Sequence, residues 1–353
     1  MPQVVLVTGA TGFLGSHLCR ALIERGHTVE AFRRRSSDVS RLGALAGQVR
    51  WHWAPDELEA PFSGPAVPDA LIHCAALYGR HGESLGQMLE ANTLLPVRLY
   101  DLAAQSGVPL FLNTDTVLDP ALNLYALSKH HAVQWLMRAG GPTRVLNLKV
   151  QHFYGPGDDP AKFITGLIAQ CLANVPEIRL TEGRQQRDFI YVSDVVSAML
   201  ALLEREAPRS SGAGVSPAIG ASVPGLDRRG QDAHATAPGE RRGQDARPTA
   251  PGERRGQDAR ATAPGDAAQS RHGGGFANYE IGSGNPVPVR ELVELIHRLT
   301  GSRSRLLFGA LPHRPGEPML TRADTSALRE LGWRPRVQLP EGLARTIEER
   351  KLL

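Results

Sequence analysis

Through the first half of the chain, short runs of consecutive apolar residues alternate with segments whose apolar positions recur every three or four residues. The runs Val4–Thr8, His27–Phe32, Val49–Trp53, Ala70–Ala75, Pro109–Leu112 and Arg144–Val150 read as strands, and Leu14–Arg25, Leu85–Ala104 and Leu124–Arg138 read as helices. Val4–Val7 is apolar without a break, the mark of a parallel strand covered on both faces. Strand–helix alternation of this kind predicts an α/β fold built on a doubly wound parallel sheet. Beyond Val150 the rhythm changes to a loop at Tyr154–Pro160, a helix at Phe163–Ala173, a short strand at Glu177–Leu180 and a helix at Val192–Glu206. These pieces predict a smaller region folded back onto the first.

From Ala207 to Gly275 the pattern disappears. Gly, Pro, Ala, Arg and Asp dominate, and three 13-residue units beginning at Arg228, Arg241 and Arg254 nearly repeat one another. Stacking repeats must carry apolar residues to bury against their neighbours. These carry only alanines, so a disordered insertion is expected. An arginine-rich arm for an acidic partner is the other reading, opposed by the acidic residues in every unit. Periodicity returns with a strand at Asn278–Ile281, a Gly282-Ser283-Gly284 turn, and a helix whose apolar positions Val289, Leu292, Val293, Ile296 and Leu299 share a face.

Composition narrows the class. A chain of 353 residues with 41% hydrophobic residues can bury a large core. Its net charge of +4, with no long basic run interleaved with aromatics, argues against a nucleic-acid partner. Cys19, Cys74 and Cys171 are odd in number, far apart and without metal-ligand spacing, so reduced thiols in a cytoplasmic protein are expected, and no metal. Gly9 interrupts the N-terminal apolar run too early for a signal peptide. No stretch approaches the roughly 18 apolar residues of a membrane span, so membrane insertion is not expected either.

Between the first strand and first helix lies Thr8-Gly9-Ala10-Thr11-Gly12-Phe13-Leu14-Gly15. Glycines at 9, 12 and 15 permit a tight turn, close approach of backbone to a pyrophosphate and close helix–strand packing, while the helix N-terminus offers free N–H groups to an anion. The strand, turn and helix context is met, so the sheet is expected to be Rossmann-like and to bind a dinucleotide. At the end of the second strand an acidic residue would bond a ribose hydroxyl and a basic one a 2′-phosphate. The chain has Arg33-Arg34-Arg35 there, so Arg33 and Arg34 predict NADP(H), with NAD(H) the alternative cofactor and a solvated basic loop the plain reading. Residues 1–150, completed by about 192–206 and 276–284, are then the dinucleotide-binding domain. Residues 151–191 and 285–353 form a smaller, discontinuous C-terminal substrate domain.

Tyr125 and Lys129 open the helix after the fifth strand, and i,i+4 spacing puts phenol and ammonium on one face. A nearby cation favours a phenolate, so Lys129 is expected to lower the Tyr125 pKa and make it an acid/base. Alone, Tyr-x-x-x-Lys is a common accident. Its position in a chain that already has a dinucleotide turn gives it weight.

These motifs resemble those of the extended short-chain dehydrogenases/reductases of the epimerase/dehydratase type, which act on nucleotide sugars. Further likenesses are Ile72-His73-Cys74-Ala75-Ala76, Asn92, Phe153-Tyr154-Gly155-Pro156-Gly157, Arg187 to Val192, Arg314 before Gly316-Glu317, and Leu331-Gly332-Trp333-Arg334-Pro335. The resemblance spans nearly everything except Ala207–Gly275. It implies a cofactor site of Gly9, Thr11, Gly12, Phe13, Leu14, Gly15, Cys74, Ala75, Ala76 and Asn92 together with Tyr125 and Lys129. Thr114 would orient the substrate oxygen, with Thr116 competing for that role, Tyr125 would donate the proton, and Lys129 would bind the nicotinamide ribose. Tyr78, Asp115, Thr116, His152, Tyr154, Arg187 and Arg314 would line the substrate, the two arginines on its diphosphate, and a homodimer is expected.

Asn113-Thr114-Asp115-Thr116 resembles the Thr-Asp-Glu of the family's dehydratases, but Thr116 stands where the base would be. The short interval from Thr114 to Tyr125 resembles the family's 4-ketoreductases of CDP-4-keto-6-deoxyhexoses. A 4-ketoreductase is therefore the expected activity, with a 4-epimerase second. A catalytically silent dinucleotide sensor is opposed by the intact Thr114, Tyr125 and Lys129.

Overall fold

The computed structural model describes residues 1–64, 66–206 and 275–352. Its first half alternates β1 (Val4–Thr8), α1 (Phe13–Glu24), β2 (Thr28–Arg33), β3 (Val49–Trp53), β4 (Ala70–His73), α2 (Leu85–Leu89), α3 (Leu95–Ser106), β5 (Leu110–Thr116), α4 (Leu124–Ala139) and β6 (Arg144–Val150). There follow β7 (His152–Tyr154), α5 (Phe163–Leu172), β8 (Glu177–Leu180), β9 (Gln186–Arg187), β10 (Phe189–Tyr191) and α6 (Val192–Glu206). After the undescribed stretch come β11 (Phe276–Ile281), β12 (Val287–Pro288), α7 (Val289–Thr300), β13 (Arg305–Phe308), α8 (Ser326–Glu330) and α9 (Leu339–Leu352).

Among the described residues, seven strands form one parallel sheet in the order β11-β6-β5-β4-β1-β2-β3. The chain winds outward from β1 to β3, returns to β4 and winds the other way. The order therefore reverses between β1 and β4, where open α/β sheets place their ligand crevice. Val5, Leu6 and Val7 are completely buried, as a strand covered on both faces must be. Helices α1 and α6 pack together beside the sheet, and α3 packs with α4. Three small two-stranded pairings, β10-β7, β12-β9 and β13-β8, lie outside the main sheet. The α/β architecture is thus a Rossmann-like sheet with a smaller, discontinuous C-terminal region.

Two departures from the sequence pattern have clear causes. The sheet strand expected to end at Leu112 runs on to Thr116. Asn113 donates to Asn147 at 2.8 Å, and Asn147 donates to Asn278 at 2.9 Å, so a rung of amides crosses β5, β6 and β11 where polar residues alone suggest a loop. The single helix expected over Leu85–Ala104 is interrupted by a wide π-helical turn at Glu90–Leu94. Pro96 follows it; proline lacks an N–H and its ring would meet the carbonyl of Asn92, so the regular ladder cannot continue. A capping box of Ser84 and Gln87 fixes where α2 begins. The repeats and the expected disordered insertion lie outside the described residues, save Gly275, whose carbonyl accepts from the Val145 N–H at 2.9 Å. Among the described residues no helix is long and apolar enough to cross a membrane.

Candidate active site

The turn after β1 is built by contact distances that only glycine tolerates. Gly9 has φ +69°, and a Cβ there would stand 2.7 Å from the Ala75 nitrogen; one at Gly15 would stand 2.1 Å from the Gly9 carbonyl oxygen. Gly12 donates to that carbonyl at 2.9 Å and caps α1 in an extended conformation without any side-chain cap. The first turn of α1 carries no acidic residue, so its N–H groups and dipole favour an anion. Thr11 and Phe13 are partly buried at this turn and Leu14 is buried behind it. Across the crevice, the Thr8 hydroxyl accepts from Ala75 N–H at 3.3 Å and lies 2.8 Å from Nδ1 of His73. Cys74, Ala75 and Ala76 are partly exposed there. Burial pushes the Cys74 thiol up to about 12, which makes it inert.

Asn92 is buried in the π-helical turn, and its amide is engaged within the protein. It accepts from Leu77 N–H at 2.8 Å and donates to the Leu77 carbonyl at 2.8 Å and to the Ser128 hydroxyl at 3.0 Å. It therefore pins the loop after β4 to α4, and acts on the crevice through that loop.

The arginines at the end of β2 are packed, paired or exposed in turn. The Arg33 guanidinium lies 4.3 Å from the ring centre of Trp53 and 5.1 Å from that of Trp51. Arg35 pairs with Asp56 at 3.2 Å, and Arg34 is exposed, its backbone N–H donating to Ser37. The sequence could not show this packing, because the tryptophans belong to β3.

At the carboxyl ends of β4 and β5 the chemistry converges. Asn123 caps α4 by accepting from Ala126 N–H at 2.8 Å, which sets Tyr125 and Lys129 in its first two turns. Lys129 is 1% exposed, and its Nζ has no hydrogen-bond partner among the described residues. Burial lowers its pKa, and the charge of Asp115 opposes that. Tyr125 stacks on Tyr78, ring centres 4.6 Å apart. Burial, then Tyr78 and Asp115, hold the Tyr125 phenol well above its ordinary value. The lowering by Lys129 expected from spacing is not what governs it. The Thr114 hydroxyl donates to the His73 carbonyl at 2.8 Å, whereas the Thr116 hydroxyl accepts from Leu118 N–H at 3.2 Å and keeps its own proton.

The other expected substrate residues scatter. Asp115 accepts from Asn147 at 2.9 Å and, with Thr116, His130, Lys149, Gln151 and Arg322, lines a cavity of about 460 Å³ beside α4. His152 has an unpartnered Nδ1 among the described residues, and burial followed by the charge of Arg187 lowers its pKa to about 4. Tyr154 is not at the crevice: it is 1% exposed, packs edge-on against Tyr191 and donates to the Leu339 carbonyl at 3.3 Å, so it is a core residue. Arg187 is buried and paired with Glu317 at 2.6 Å, while Arg314 is exposed in the turn that leads to Glu317. Sequence reasoning missed Asp188. This fully buried carboxylate accepts from Ser283 N–H and Oγ–H, Gly284 N–H and Ala323 N–H at 2.6–3.0 Å. An acidic residue directly before the apolar run Phe189–Val192 was the available signal.

The residues fit a bound dinucleotide. The glycine cradle has no room for a Cβ, the α1 N-terminus is uncapped, and the buried Lys129 ammonium lacks a partner among the described residues. A Rossmann-like sheet carrying this turn and a Tyr-x-x-x-Lys helix defines a dinucleotide-dependent enzyme class. The chain belongs to the NAD dependent epimerase/dehydratase family, whose profile matches residues 5–213. It is similar to CDP-abequose synthase of Salmonella muenchen, 26% identical over 97% of this chain and 96% of the relative. Among solved structures it is similar to MoeE5 in complex with UDP-glucuronic acid and NAD, with TM-score 0.67 and 26% identity over 99% of each chain. The fold is also that of the Thermus thermophilus UDP-glucose 4-epimerase complex with NAD, with TM-score 0.67 and 20% identity over 99% of each chain. The MoeE5 structure holds NAD. Together with the packing of Arg33, this overturns the expected preference for NADP(H).

Proposed function

We propose that the chain is an NAD(H)-dependent 4-ketoreductase of a nucleoside-diphosphate 6-deoxysugar, with a CDP-linked 4-keto-6-deoxyhexose as substrate. The observation that carries this reading is the buried Lys129 ammonium, without a hydrogen-bond partner among the described residues, one helical turn from Tyr125 and beside the carboxyl end of β5. In this reading Gly9, Gly12 and Gly15 admit the pyrophosphate, Thr11, Phe13 and Leu14 border it, and Cys74, Ala75 and Ala76 form the opposite wall. Lys129 holds the nicotinamide ribose. The bound dinucleotide supplies the two-electron exchange with the sugar carbon. Tyr125 donates its phenolic proton to the sugar oxygen, and Thr114 or Thr116 orients that oxygen. A phenol held above its ordinary range is protonated at neutral pH, which suits donation during reduction better than abstraction. Thr116 is bonded to the Leu118 backbone and has no carboxylate, which speaks against a dehydratase.

A 4-epimerase is the second reading, favoured by NAD itself, since a retained NAD suits an enzyme that oxidises and re-reduces one sugar. NADH oxidation with CDP-, dTDP- and UDP-linked 4-keto-6-deoxyhexoses, beside incubation of the corresponding 4-hydroxy sugars with NAD, separates the two. Stoichiometric oxidation with one of them supports the reductase. Interconversion of sugars without net change in NADH supports the epimerase, and no turnover of any sugar removes both.

A further inference from the structure

Lys162 stands at the N-cap of α5 with its side chain 18% exposed, and its Nζ lies 2.8 Å from Oδ1 of Asp158, whose side chain is 2% exposed. Three rings surround the same ammonium: Phe153 at 4.6 Å, Phe13 at 5.2 Å and Tyr78 at 5.3 Å from nitrogen to ring centre. These rings come from β7, from the first residue of α1 beside the glycine turn, and from the loop after β4. The Phe13 and Phe153 rings are parallel, 5.6 Å apart. The Tyr78 ring stacks in turn on Tyr125, with an interplanar angle of 29°.

Burying an ion pair costs desolvation that mutual attraction often fails to return, so such a pair is weak as a stabiliser and well suited to fixing geometry. Aromatic faces attract an ammonium at these distances and give the pair directional preference. The loop that carries Tyr78 is anchored one residue earlier by Asn92, and Gly79, at φ +70°, follows it. Two cations face the Tyr78 ring, the Arg80 guanidinium at 5.5 Å and the Lys162 ammonium at 5.3 Å from its centre, and of these Lys162 also reaches Phe13 and Phe153.

We propose that Lys162 is a positioning residue: fixed by Asp158, its ammonium clamps Tyr78 against Tyr125 and ties that stack to Phe13 of the cofactor turn. The catalytic half of the proposal rests on Tyr125 being the proton donor; the stacking half does not.

The test uses the full-length protein with ring-labelled tyrosine. The chain has 6 tyrosines, so the Tyr125 signals are assigned by their loss in Tyr125→Phe, and their unstacked position is read from Tyr78→Leu. In Lys162→Met combined with Asp158→Asn, which removes both charges together, the Tyr125 signals move toward that unstacked position. In Lys162→Arg, which keeps the cation and the pair, they stay in place. Lys162→Gln, which can still donate to Asp158, serves should the double variant not fold, and it shifts the signals in the same direction. With a substrate in hand, the uncharged variants lose about tenfold in kcat with KM within about twofold, and Lys162→Arg recovers most of it. Unmoved Tyr125 signals in the uncharged variants, or equal movement in Lys162→Arg, overturn the clamp. A raised KM with unchanged kcat also overturns it, because Lys162 then acts only in binding. Lack of turnover by the unaltered protein on every sugar counts against the proposed function alone, since the ring signals are read without substrate.

Discussion

Tyr125 and Lys129 were legible as a pair from i,i+4 spacing alone, but their electrostatics were not. Spacing suggests that the ammonium lowers the phenol, whereas burial, Tyr78 and Asp115 raise it, and those neighbours come from other strands and loops. Tyr154 shows the opposite failure, since an aromatic within a likeness to a substrate loop lies in the core beneath Gly342. Tyr125→Phe is expected to lower kcat by roughly a hundredfold or more while NADH binding, followed by fluorescence, stays within about twofold. Near-normal turnover would remove the assignment. His152 gives a pH prediction. Burial depresses its folded pKa from 6.5 to about 4, so its contribution to stability is complete above pH 6.5 and is lost as pH falls through 4. Relative to His152→Gln, the parent should lose on the order of 2–3 kcal/mol more between those limits in denaturant titrations. Parallel pH profiles of the two proteins would contradict it.

At the scale of elements, the sheet strands and main helices follow from apolar runs and 3.6-residue periodicity because each buries a continuous face. Val4–Thr8, Val49–Trp53, Arg144–Val150 and Glu177–Leu180 begin and end where the pattern places them. What escaped the pattern depends on partners across the fold. The Asn113–Asn147–Asn278 rung extends β5 through polar residues, and Arg33 is held on β3 tryptophans rather than offered to a phosphate. A run of arginines cannot tell these alternatives apart, since either use needs the same charge. Arg33→Ala should therefore cost about 1–2 kcal/mol of stability through lost stacking, with the KM for NADH changed less than about twofold. Thermal melts and steady-state kinetics check this together, and a large rise in KM with unchanged melting would return Arg33 to the cofactor.

On the scale of the whole molecule, segments far apart in sequence are joined by single buried groups that no local pattern announces. Asp188 is the clearest, since one carboxylate accepts from 283, 284 and 323 and so fastens the end of β11 to the C-terminal segment. Asp188→Asn should destabilise the protein by about 2–4 kcal/mol, read from chemical denaturation, because an amide cannot accept all of those donors. A loss below about 0.5 kcal/mol would mean that backbone packing alone holds the junction. The sequence motifs did reveal the family, because the glycine turn, the Tyr125/Lys129 pair and the segment from Arg187 are each short and local. The cofactor was misread, since that choice depends on what surrounds Arg33 in three dimensions. The central claim is that a dinucleotide bound at the glycine turn reduces a sugar carbon while Tyr125 supplies the proton. It is tested most directly by turning over CDP-4-keto-6-deoxyhexose with NADH deuterated at nicotinamide C4 and weighing the product. The account predicts one deuterium at sugar C4 in the product of the unaltered protein and almost no product from Tyr125→Phe; product without deuterium, or equal labelled product from Tyr125→Phe, would contradict it.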